Sequence, residues 1–346
     1  MEYHPLGVIG AIVPFNYPFH NVFNPLTAAL FAGNAIVIKV SEHASWSASY
    51  YKRIVDAALE ACGAPVDLVQ IVTGYAEAGN AVVTGGTDKV IFVGSVGVGK
   101  HVIRASADTM TPTVMELGGK DAFIVCEDAD YDQCLGTGLR GAFQSCGQNC
   151  TGAERFVIHS SLVDRWLKDT SSVVARMRQG APCGGQGLVD VGAMCLPGLA
   201  EKVQELIDDA VAKGARVVIG GKLPATRSSG QYYPPTIITD VNPSMRIWHE
   251  ETFGPTMVVI PFETDDEAIA IANDCPFGLG SSVFCKSQVR ENPPRGHAMY
   301  LPCTVYHNVP VLRQRILSLQ SDAYLFTFYR SYFIYTIIYI DRKSVV

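Results

Sequence analysis

The sequence predicts an α/β protein of two domains. Short continuous apolar runs at residues 6–13, 34–40 and 89–93 have the length and composition of strands that are buried on both faces. Stretches of helical periodicity follow the first two runs and end at Gly33 and Gly63. This alternation indicates a parallel sheet with helices on both faces, and 346 residues are enough for two such domains.

The charge balance and the cysteine usage narrow the class of protein. The chain has 27 basic and 33 acidic residues and a net charge of −6, so we expect no nucleic-acid partner. Ten cysteines at irregular spacing indicate reduced thiols and not a disulfide framework. No basic segment followed by an apolar core opens the sequence, so we expect no signal peptide. We take the cytoplasm as the default compartment. The sequence is also compatible with a full-length parent protein that is membrane-associated or secreted.

The first domain is predicted over residues 1–117. Its predicted strands and helices alternate along the chain in the order strand, helix, strand, helix, as a doubly covered parallel sheet requires. The strands cover residues 6–13, 34–40, 67–72 and 89–93, and the helices cover 21–32, 45–62, 76–83 and a stretch that reaches residue 108.

Two segments of this domain follow strands and carry candidate ligand-binding groups. Lys39 and Glu42 lie at the carboxyl end of a strand, where open α/β sheets bind ligands. Residues 94–100, GSVGVGK, join the strand 89–93 to a helix, an arrangement that binds pyrophosphate through backbone N–H groups. The spacing is not G-x-G-x-x-G, and Lys100 has the simpler explanation of a solvated lysine. Alone, each segment is more often an ordinary strand end or turn.

A third candidate lies in the loop 14–19, which two prolines fix. An asparagine on a fixed loop, here Asn16, can donate its amide N–H to an oxyanion. Most asparagines in such a position are ordinary turn residues.

The second domain is predicted over residues 118–285. Its elements again alternate, which indicates a second α/β domain. The predicted strands cover 121–126, 155–159, 216–219 and 256–260, and the predicted helices cover 130–143, 162–178 and 198–213.

A cysteine and a glutamate stand in glycine-containing segments. Cys150 lies in FQSCGQNCTGAER, residues 143–155, where small neighbours leave its sulfur open to a substrate, and Glu116 lies in MELGGK, residues 115–120. Such a pair can act as nucleophile and base. Alone, most cysteines only pack and most glutamates are solvated. Cys146 and Cys150 form a C-x3-C pair without a second Cys/His pair nearby, so we predict neither a metal site nor a disulfide there.

These two segments carry a resemblance to a known family. Residues 115–122 resemble the glutamate signature of the aldehyde dehydrogenase superfamily, and residues 143–154 resemble its cysteine signature. The likeness covers about residues 5–284 and is nearest to a plant branch, family 22, with long N-terminal extensions. It implies a hydrolytic, NAD(P)-dependent enzyme with a Rossmann-like parallel-sheet cofactor domain, partial here, and a second α/β catalytic domain.

The resemblance also implies catalytic roles. Cys150 attacks an aldehyde carbonyl, and Asn16 with the cysteine's own backbone N–H holds the resulting oxyanion. Glu116 deprotonates the water that hydrolyses the thioester, for which we expect burial to raise its pKa. The substrate is a small aldehyde, aliphatic or aromatic. Phe15, where many members have tryptophan, together with Tyr17 and Phe143 suggests an apolar entrance.

By the same resemblance, two groups of residues bind the adenosine and phosphate parts of the cofactor. Lys39 and Glu42 hold the hydroxyls of the adenosine ribose, and Gly94, Ser95 and Gly99 belong to the phosphate side. A carboxylate at position 42 would repel a 2′-phosphate, which favours NAD over NADP.

A further motif, EETFGP at residues 250–255, would alone be a polar turn before a strand. The resemblance implies that Glu251 hydrogen-bonds the nicotinamide ribose and that Phe253 packs against the nicotinamide end of the cofactor.

Two alternatives stay open. A CoA-acylating relative passes the thioester to CoA and does not need a glutamate at position 116, so Glu116 favours hydrolysis. The second alternative is that this chain is a catalytically impaired fragment, or a splice or gene-model variant, of such an enzyme. The likeness stops after residue 285, and members of the family have more sequence before residue 5. The family forms homo-oligomers, and we expect its oligomerisation strands to be absent here.

Residues 286–346 form a divergent tail that we predict is not native to the fold. Residues 323–340 carry eight aromatics among eighteen residues, a candidate membrane span by length. Arg330 near the middle and the aromatic, β-branched composition favour a strand or aggregation instead. A frameshift or a retained intron is the favoured origin, which an intact reading frame in the messenger RNA would contradict.

Overall fold

The structure is a computed structural model that describes residues 4–181, 183, 187–224 and 231–286. Within them the chain divides into two compact units, with the boundary between Gly118 and Gly119. The predicted divergent tail, including the apolar stretch 323–340, lies outside the described residues except for Lys286. None of the helices in the described part of the chain combines the length and the apolar character that a membrane crossing requires.

The first unit is a parallel five-stranded sheet covered by four helices, and the sequence predicts four of these strands and all four helices. Its strands are Val8–Val13 (β1), Ala35–Val40 (β2), Val69–Val72 (β3), Lys89–Val93 (β4) and Thr113–Glu116 (β5). Its helices are Pro18–Phe31 (α1), Ser45–Ala61 (α2), Ala76–Thr84 (α3) and Val96–Ala107 (α4). The predictions missed β5, which is only four residues long.

The strand order of this sheet is β3-β2-β1-β4-β5. The chain builds outward from β1 to β3 and then returns to the other side of β1, so the order reverses between β1 and β4. Ligands of open α/β sheets bind at the carboxyl ends of the strands at such a reversal. The loop with Asn16 follows β1 and the Gly94-Ser95 turn follows β4, so the topology places both at that point.

Helices cover both faces of the sheet because its strands are apolar on both sides. One core packs Ile38 and other strand residues against α1 and α2, through side chains such as Leu26 and Val55. The core on the opposite face joins Phe92 to α3 and α4 through Val83 and Val102. The first unit by itself therefore has three layers, with the sheet between two layers of helices.

The second unit is a six-stranded sheet in the order β11-β6-β7-β10-β9-β8, parallel except for the antiparallel pair β8 and β9. Its strands are Asp121–Val125 (β6), Ala153–His159 (β7), Arg216–Ile219 (β8), Thr236–Thr239 (β9), Thr256–Phe262 (β10) and Ser281–Phe284 (β11). Its helices are Tyr131–Phe143 (α5), Ser160–Val174 (α6), Leu199–Ala212 (α7), Arg246–His249 (α8) and Asp265–Asn273 (α9). A second α/β fold is thus confirmed.

The central strands of this sheet, β7 and β10, are buried almost throughout. An aromatic cluster of Phe123, Phe156 and Trp166 fills the core beneath α5 and α6. A second core packs α7 and α8 against β10. Since β6 and β7 begin where the two signature segments end, this packing fixes the ends of those segments.

Candidate active-site residues in each unit

Lys39 and Glu42 come together in the first unit. Lys39 is buried near the end of β2, and its Nζ donates to Oε2 of Glu42 at 3.4 Å. Ser41 caps the single 3-10 turn Glu42–Ala44 by accepting a hydrogen bond from the His43 amide. The backbone amide of Glu42 itself and then the charge of Lys39 hold the pKa of this carboxyl below its usual range. The end of β2 therefore presents a charged carboxylate beside a lysine.

The turn after β4 opens α4. Ser95 has extended dihedrals and is the N-cap residue, with its hydroxyl accepting from the Val98 amide at 3.5 Å. A Cβ added to Gly97, in the first turn, would meet no atom within 4 Å. The first amides of a helix have no partner within the helix, so this open first turn can face an anion.

Gly94 and Gly99 serve the packing of this turn. The amide of Gly94 donates to the Glu116 carbonyl at 2.9 Å, which extends the β4 and β5 pairing. A Cβ on Gly99 would lie 2.6 Å from a Leu117 methyl group, so glycine lets α4 approach that side chain closely. Within the turn, the groups that suit an anion are accordingly the α4 amides next to Ser95.

Asn16 is half-buried in the loop after β1. Asn21, in the first turn of α1, donates from Nδ2 to Oδ1 of Asn16 and to the Pro14 carbonyl, both at 3.3 Å. This contact orients the Asn16 amide, so the oxyanion donor proposed for Asn16 is its Nδ2. Sequence analysis missed Asn21 because its role depends on the conformation of the loop.

Glu116 is the last residue of β5 and is 7% exposed. The β4 and β5 register pairs it with Val93, the last residue of β4. The strand end thus places a buried carboxyl group at the edge of the sheet where the Gly94-Ser95 turn begins.

The cysteine segment of the second unit, residues 143–155, begins with a strained turn. After α5, the 3-10 turn Gln144–Gly147 contains Ser145 at φ 53° and Cys146 at φ 58°, and Gly147 follows at φ 69°. Left-handed dihedrals cost free energy for residues other than glycine, and such strain persists only where the surroundings hold it. Gln148 does so by donating to the Ser145 carbonyl at 3.0 Å and accepting from the Cys195 amide at 2.7 Å.

The two cysteines of residues 143–155 differ in exposure. Cys146 is 3% exposed and packs in the core with Met194 and Val203. Burial raises the pKa of the Cys146 thiol to about 12, which keeps it protonated and unreactive. Cys150 is half-buried, so it is the more exposed member of the pair. Among the described residues, no cluster of His, Cys, Asp and Glu has the arrangement of a metal site.

Glycines let the neighbouring loops pack backbone against backbone. A Cβ on Gly119 would overlap the carbonyl oxygen of Cys150, and a Cβ on Gly147 would overlap that of Gly254. The cysteine segment, residues 143–155, therefore lies directly against Gly119 of the GGK segment and against the EETFGP motif.

Glu251 and Phe253 lie in this last motif. The Glu251 side chain accepts from the Gly119 amide at 2.9 Å, and its carbonyl accepts from Lys202 Nζ at 2.9 Å. Burial, followed by the nearby charge of Glu154, raises the pKa of the Glu251 carboxyl to about 7. Phe253 has a left-handed φ of 51°.

A buried ion pair that sequence analysis missed supports the same segment. Lys120 and Glu154 are 1% and 6% exposed, and their Nζ and Oε2 atoms lie 2.7 Å apart. Lys120 also donates to the Thr252 hydroxyl at 3.0 Å. Glu154 accepts from the amides of Thr252 at 2.8 Å and Phe253 at 2.9 Å. No local sequence pattern indicates this pair, because its members are 34 residues apart.

Arg155 and Asp121 extend the buried charges. Arg155 donates to the Lys120 carbonyl at 2.9 Å and to the carbonyls of Ile271 and Ala272, near the end of α9, at 2.6 and 2.8 Å. Asp121 accepts from the Gly280 amide at 3.0 Å, and burial raises its pKa to about 8. The start of β6 and the start of β7 are thereby tied to the end of α9 and to the segment before β11.

Phe143 is not part of an entrance. Its ring is 4% exposed and packs in the core of the second unit beside Phe156 and Trp166. Phe15 and Tyr17 are half-buried in the first unit, and Phe15 meets His43 edge to face at 6.3 Å. The prediction of an apolar entrance is wrong for Phe143, since this last residue of α5 has its side chain in the core.

The chain is thus an α/β protein of two units. The first has a Rossmann-like parallel sheet, and the second carries Cys150 in the segment between α5 and β7. The aldehyde dehydrogenase family model matches residues 1–292. The chain belongs to the aldehyde dehydrogenase family, which confirms the resemblance found in the two signatures.

Similar proteins show how far the match extends. An aldehyde dehydrogenase-like protein of Saccharomyces cerevisiae is 40% identical over 299 residues, covering 82% of this chain and 46% of its own length. The crystal structure of Staphylococcus aureus betaine aldehyde dehydrogenase in complex with NAD+ is 30% identical with a TM-score of 0.76, covering 83% of this chain and 56% of that one. A structure of an Escherichia coli NADP dependent enzyme is 32% identical with a TM-score of 0.77, covering 83% and 58%. The chain spans about half the length of the curated relatives it matches.

Proposed function

We propose that this protein oxidises an aldehyde to a carboxylic acid with NAD as the hydride acceptor, through a thiohemiacetal and a thioester on Cys150. Membership of the family supports aldehyde oxidation in general. The observation that carries the proposal is the difference between the two cysteines of residues 143–155, since Cys146 is buried and Cys150 is half-buried. In the same proposal, residues 1–117 are the cofactor domain and 118–285 the catalytic domain.

The first step is attack of the Cys150 thiolate on the aldehyde carbonyl carbon. The carbonyl π bond breaks, and its electron pair becomes the oxyanion of a tetrahedral thiohemiacetal. Nδ2 of Asn16, oriented by Asn21, and the Cys150 amide are the proposed donors to this oxyanion. Re-formation of the carbonyl expels a hydride and leaves a thioester. NAD, when bound, supplies the acceptor for that hydride.

The second step is hydrolysis of the thioester. Glu116 is proposed to take a proton from a water molecule as the water oxygen attacks the thioester carbon. The carbon–sulfur bond breaks, the carboxylic acid leaves, and Cys150 returns as thiolate. The buried position of Glu116 at the end of β5 supports this role.

The first unit fits the adenosine half of NAD. The ribose hydroxyls can bond to a carboxylate and a lysine held together, as Glu42 and Lys39 are. The diphosphate suits the open first turn of α4, where Gly97 leaves the backbone uncovered and Ser95 caps the helix. The negative Glu42 would repel a 2′-phosphate, which supports NAD over NADP.

In the second unit, Glu251 and Phe253 are proposed to bind the nicotinamide ribose and the nicotinamide end. Their segment contacts the cysteine segment through Gly147 and Gly254. This contact supports a common task for the two segments.

The test is NADH formation, measured by absorbance, from the purified chain with NAD and a panel of aliphatic and aromatic aldehydes. We expect NADH with at least one aldehyde and none above background for Cys150→Ala. Soluble, folded wild-type protein without turnover would contradict the proposal and favour the impaired chain. NADH formation that requires CoA would favour the acylating reaction instead.

A further inference from the structure

One buried carboxylate in the second unit joins three segments of chain. Glu154 lies four residues after Cys150 and accepts from the amides of Thr252 and Phe253. Its other bond goes to Lys120, four residues after Glu116 in the sequence. The carboxylate therefore connects the cysteine segment to the EETFGP motif and to the GGK segment.

The three bonds to Glu154 are of the strong kind. Each joins an ionised oxygen to an N–H group, with separations of 2.7, 2.8 and 2.9 Å. The bonds are also shielded, since Thr252 and Lys120 are each 1% exposed. In such surroundings a polar group without its partner is costly, so the bonds fix the backbone they hold.

The backbone they hold is unusual. Phe253 has φ 51°, and this left-handed conformation persists in a residue with a Cβ only where its surroundings impose it. The amide of that same residue is one of the two that Glu154 binds. Glu251, one residue before Thr252, is held separately through the Gly119 amide and Lys202.

We propose that Glu154 is a positioning residue that imposes the conformation of residues 251–253, with Lys120 balancing its charge, so that Glu251 and Phe253 are presented to the nicotinamide end of NAD. The inference rests on the proposed function for its link to NAD. Its structural half, the hold on Thr252 and Phe253, stands on the hydrogen bonds alone. Glu154 itself is not a catalytic residue.

The test compares two double variants. Lys120→Met with Glu154→Leu replaces the pair by apolar groups of similar size, which usually preserves folding because no buried charge is left alone. Lys120→Met with Glu154→Gln keeps one acceptor oxygen near the two amides. Asp190→Asn is the control, because Asp190 likewise accepts a backbone amide and pairs with an arginine, Arg178, but at the surface.

The first readout is amide hydrogen exchange by mass spectrometry, with circular dichroism as the check of folding. In the Leu variant, exchange of the peptide with Thr252 and Phe253 should accelerate by about 10- to 100-fold, the loss expected for charge-assisted bonds. The Gln variant should show a smaller acceleration and the control none. Equal exchange in the wild type and the folded Leu variant would overturn the proposal. If neither double variant folds, the pair supports the whole unit, and the positioning role is contradicted.

The second readout is NAD affinity by calorimetry and the Michaelis constants of each substrate. We expect the Leu variant to bind NAD about tenfold more weakly, with the KM for NAD rising and the KM for the aldehyde little changed. Accelerated exchange with unaltered NAD affinity would overturn the cofactor half of the inference. A wild type that forms no NADH while the exchange difference persists would contradict the proposed function and leave the hold of Glu154 on the segment intact.

Discussion

The two units hold their candidate residues in different ways. In the first unit the side-chain hydrogen bonds of the candidates are local: Lys39 bonds a residue three positions on, and Ser95 caps its own helix at Val98. In the second unit the partners are distant, as Glu154 and Phe253 are 99 positions apart and Gly119 and Glu251 are 132. The first unit places its candidate binding groups at strand ends. In the second unit, buried charged side chains hold the cysteine segment and the EETFGP motif together. We infer that substitutions act locally in the first unit and spread between segments in the second.

The largest effect is expected at the cysteine pair of the second unit. Cys150→Ala should reduce NADH formation by at least about 1,000-fold, because no nucleophile remains. Cys146→Ala should retain most of the turnover and lose about 1 kcal/mol of the unfolding free energy, since it removes only a small buried group. Steady-state rates and urea unfolding check the pair. Similar losses of turnover in both would contradict the division of roles.

A glycine in each unit provides a matched comparison. Gly147→Ala should reduce turnover about 100-fold, because its Cβ overlaps the Gly254 carbonyl in a left-handed turn. Gly97→Ala meets open space in α4 and should raise the unfolding free energy by about 0.5 kcal/mol. NAD affinity should still fall in Gly97→Ala if the first turn of α4 faces the diphosphate. Urea unfolding, turnover and calorimetry separate these effects, and a harmless Gly147→Ala would break the contrast between the units.

A smaller, local effect is expected at Glu42. Glu42→Gln should lower the preference for NAD over NADP about tenfold, because the charge that repels a 2′-phosphate is gone. The ratio of kcat/KM for the two cofactors measures this. The aldehyde KM serves as the control and should not change. An unaltered cofactor ratio would remove Glu42 from the proposed ribose site.

The smallest effect concerns pH. The pKa of Glu251 is raised to about 7 in the folded protein, so the folded state binds more protons than the unfolded state between pH 4.5 and 7. This contribution to stability is therefore present below pH 4.5 and is lost as pH rises through about 7. In Glu251→Gln, the unfolding free energy should fall by about 1–3 kcal/mol less over this pH range than in the wild type. Urea unfolding at several pH values checks it, and an unchanged slope would contradict the burial of this charge.

The same contrast explains how much of the molecule the sequence predicts. The strand at 89–93 and the strand at 216–219 coincide with β4 and β8, because apolar runs between turn residues are local signals. The strand β9 has four residues and owes its existence to pairing with β8 and β10, which no window of sequence contains. The antiparallel pairing of β8 with β9 likewise had no sequence signal.

The candidate site follows the same rule. Cys150, Glu116 and the strand-end residues Lys39 and Glu42 stand in motifs that a sequence displays. Asn21 and Glu154 act through distant or conformation-dependent contacts, so only the structure identifies them. Phe143 was misassigned because periodicity places it at the end of a helix without showing which side of that helix is buried.

The most direct test of the central claim is to locate the covalent intermediate. Glu116→Gln, incubated with NAD and an aldehyde and then digested, should carry an acyl group on the peptide that contains Cys150, with the mass of the aldehyde less two hydrogens. About one equivalent of NADH per chain should form alongside it. An acyl group on an exposed cysteine such as Cys62 or Cys195 would contradict the account. NADH formation without any acylated cysteine would contradict it as well.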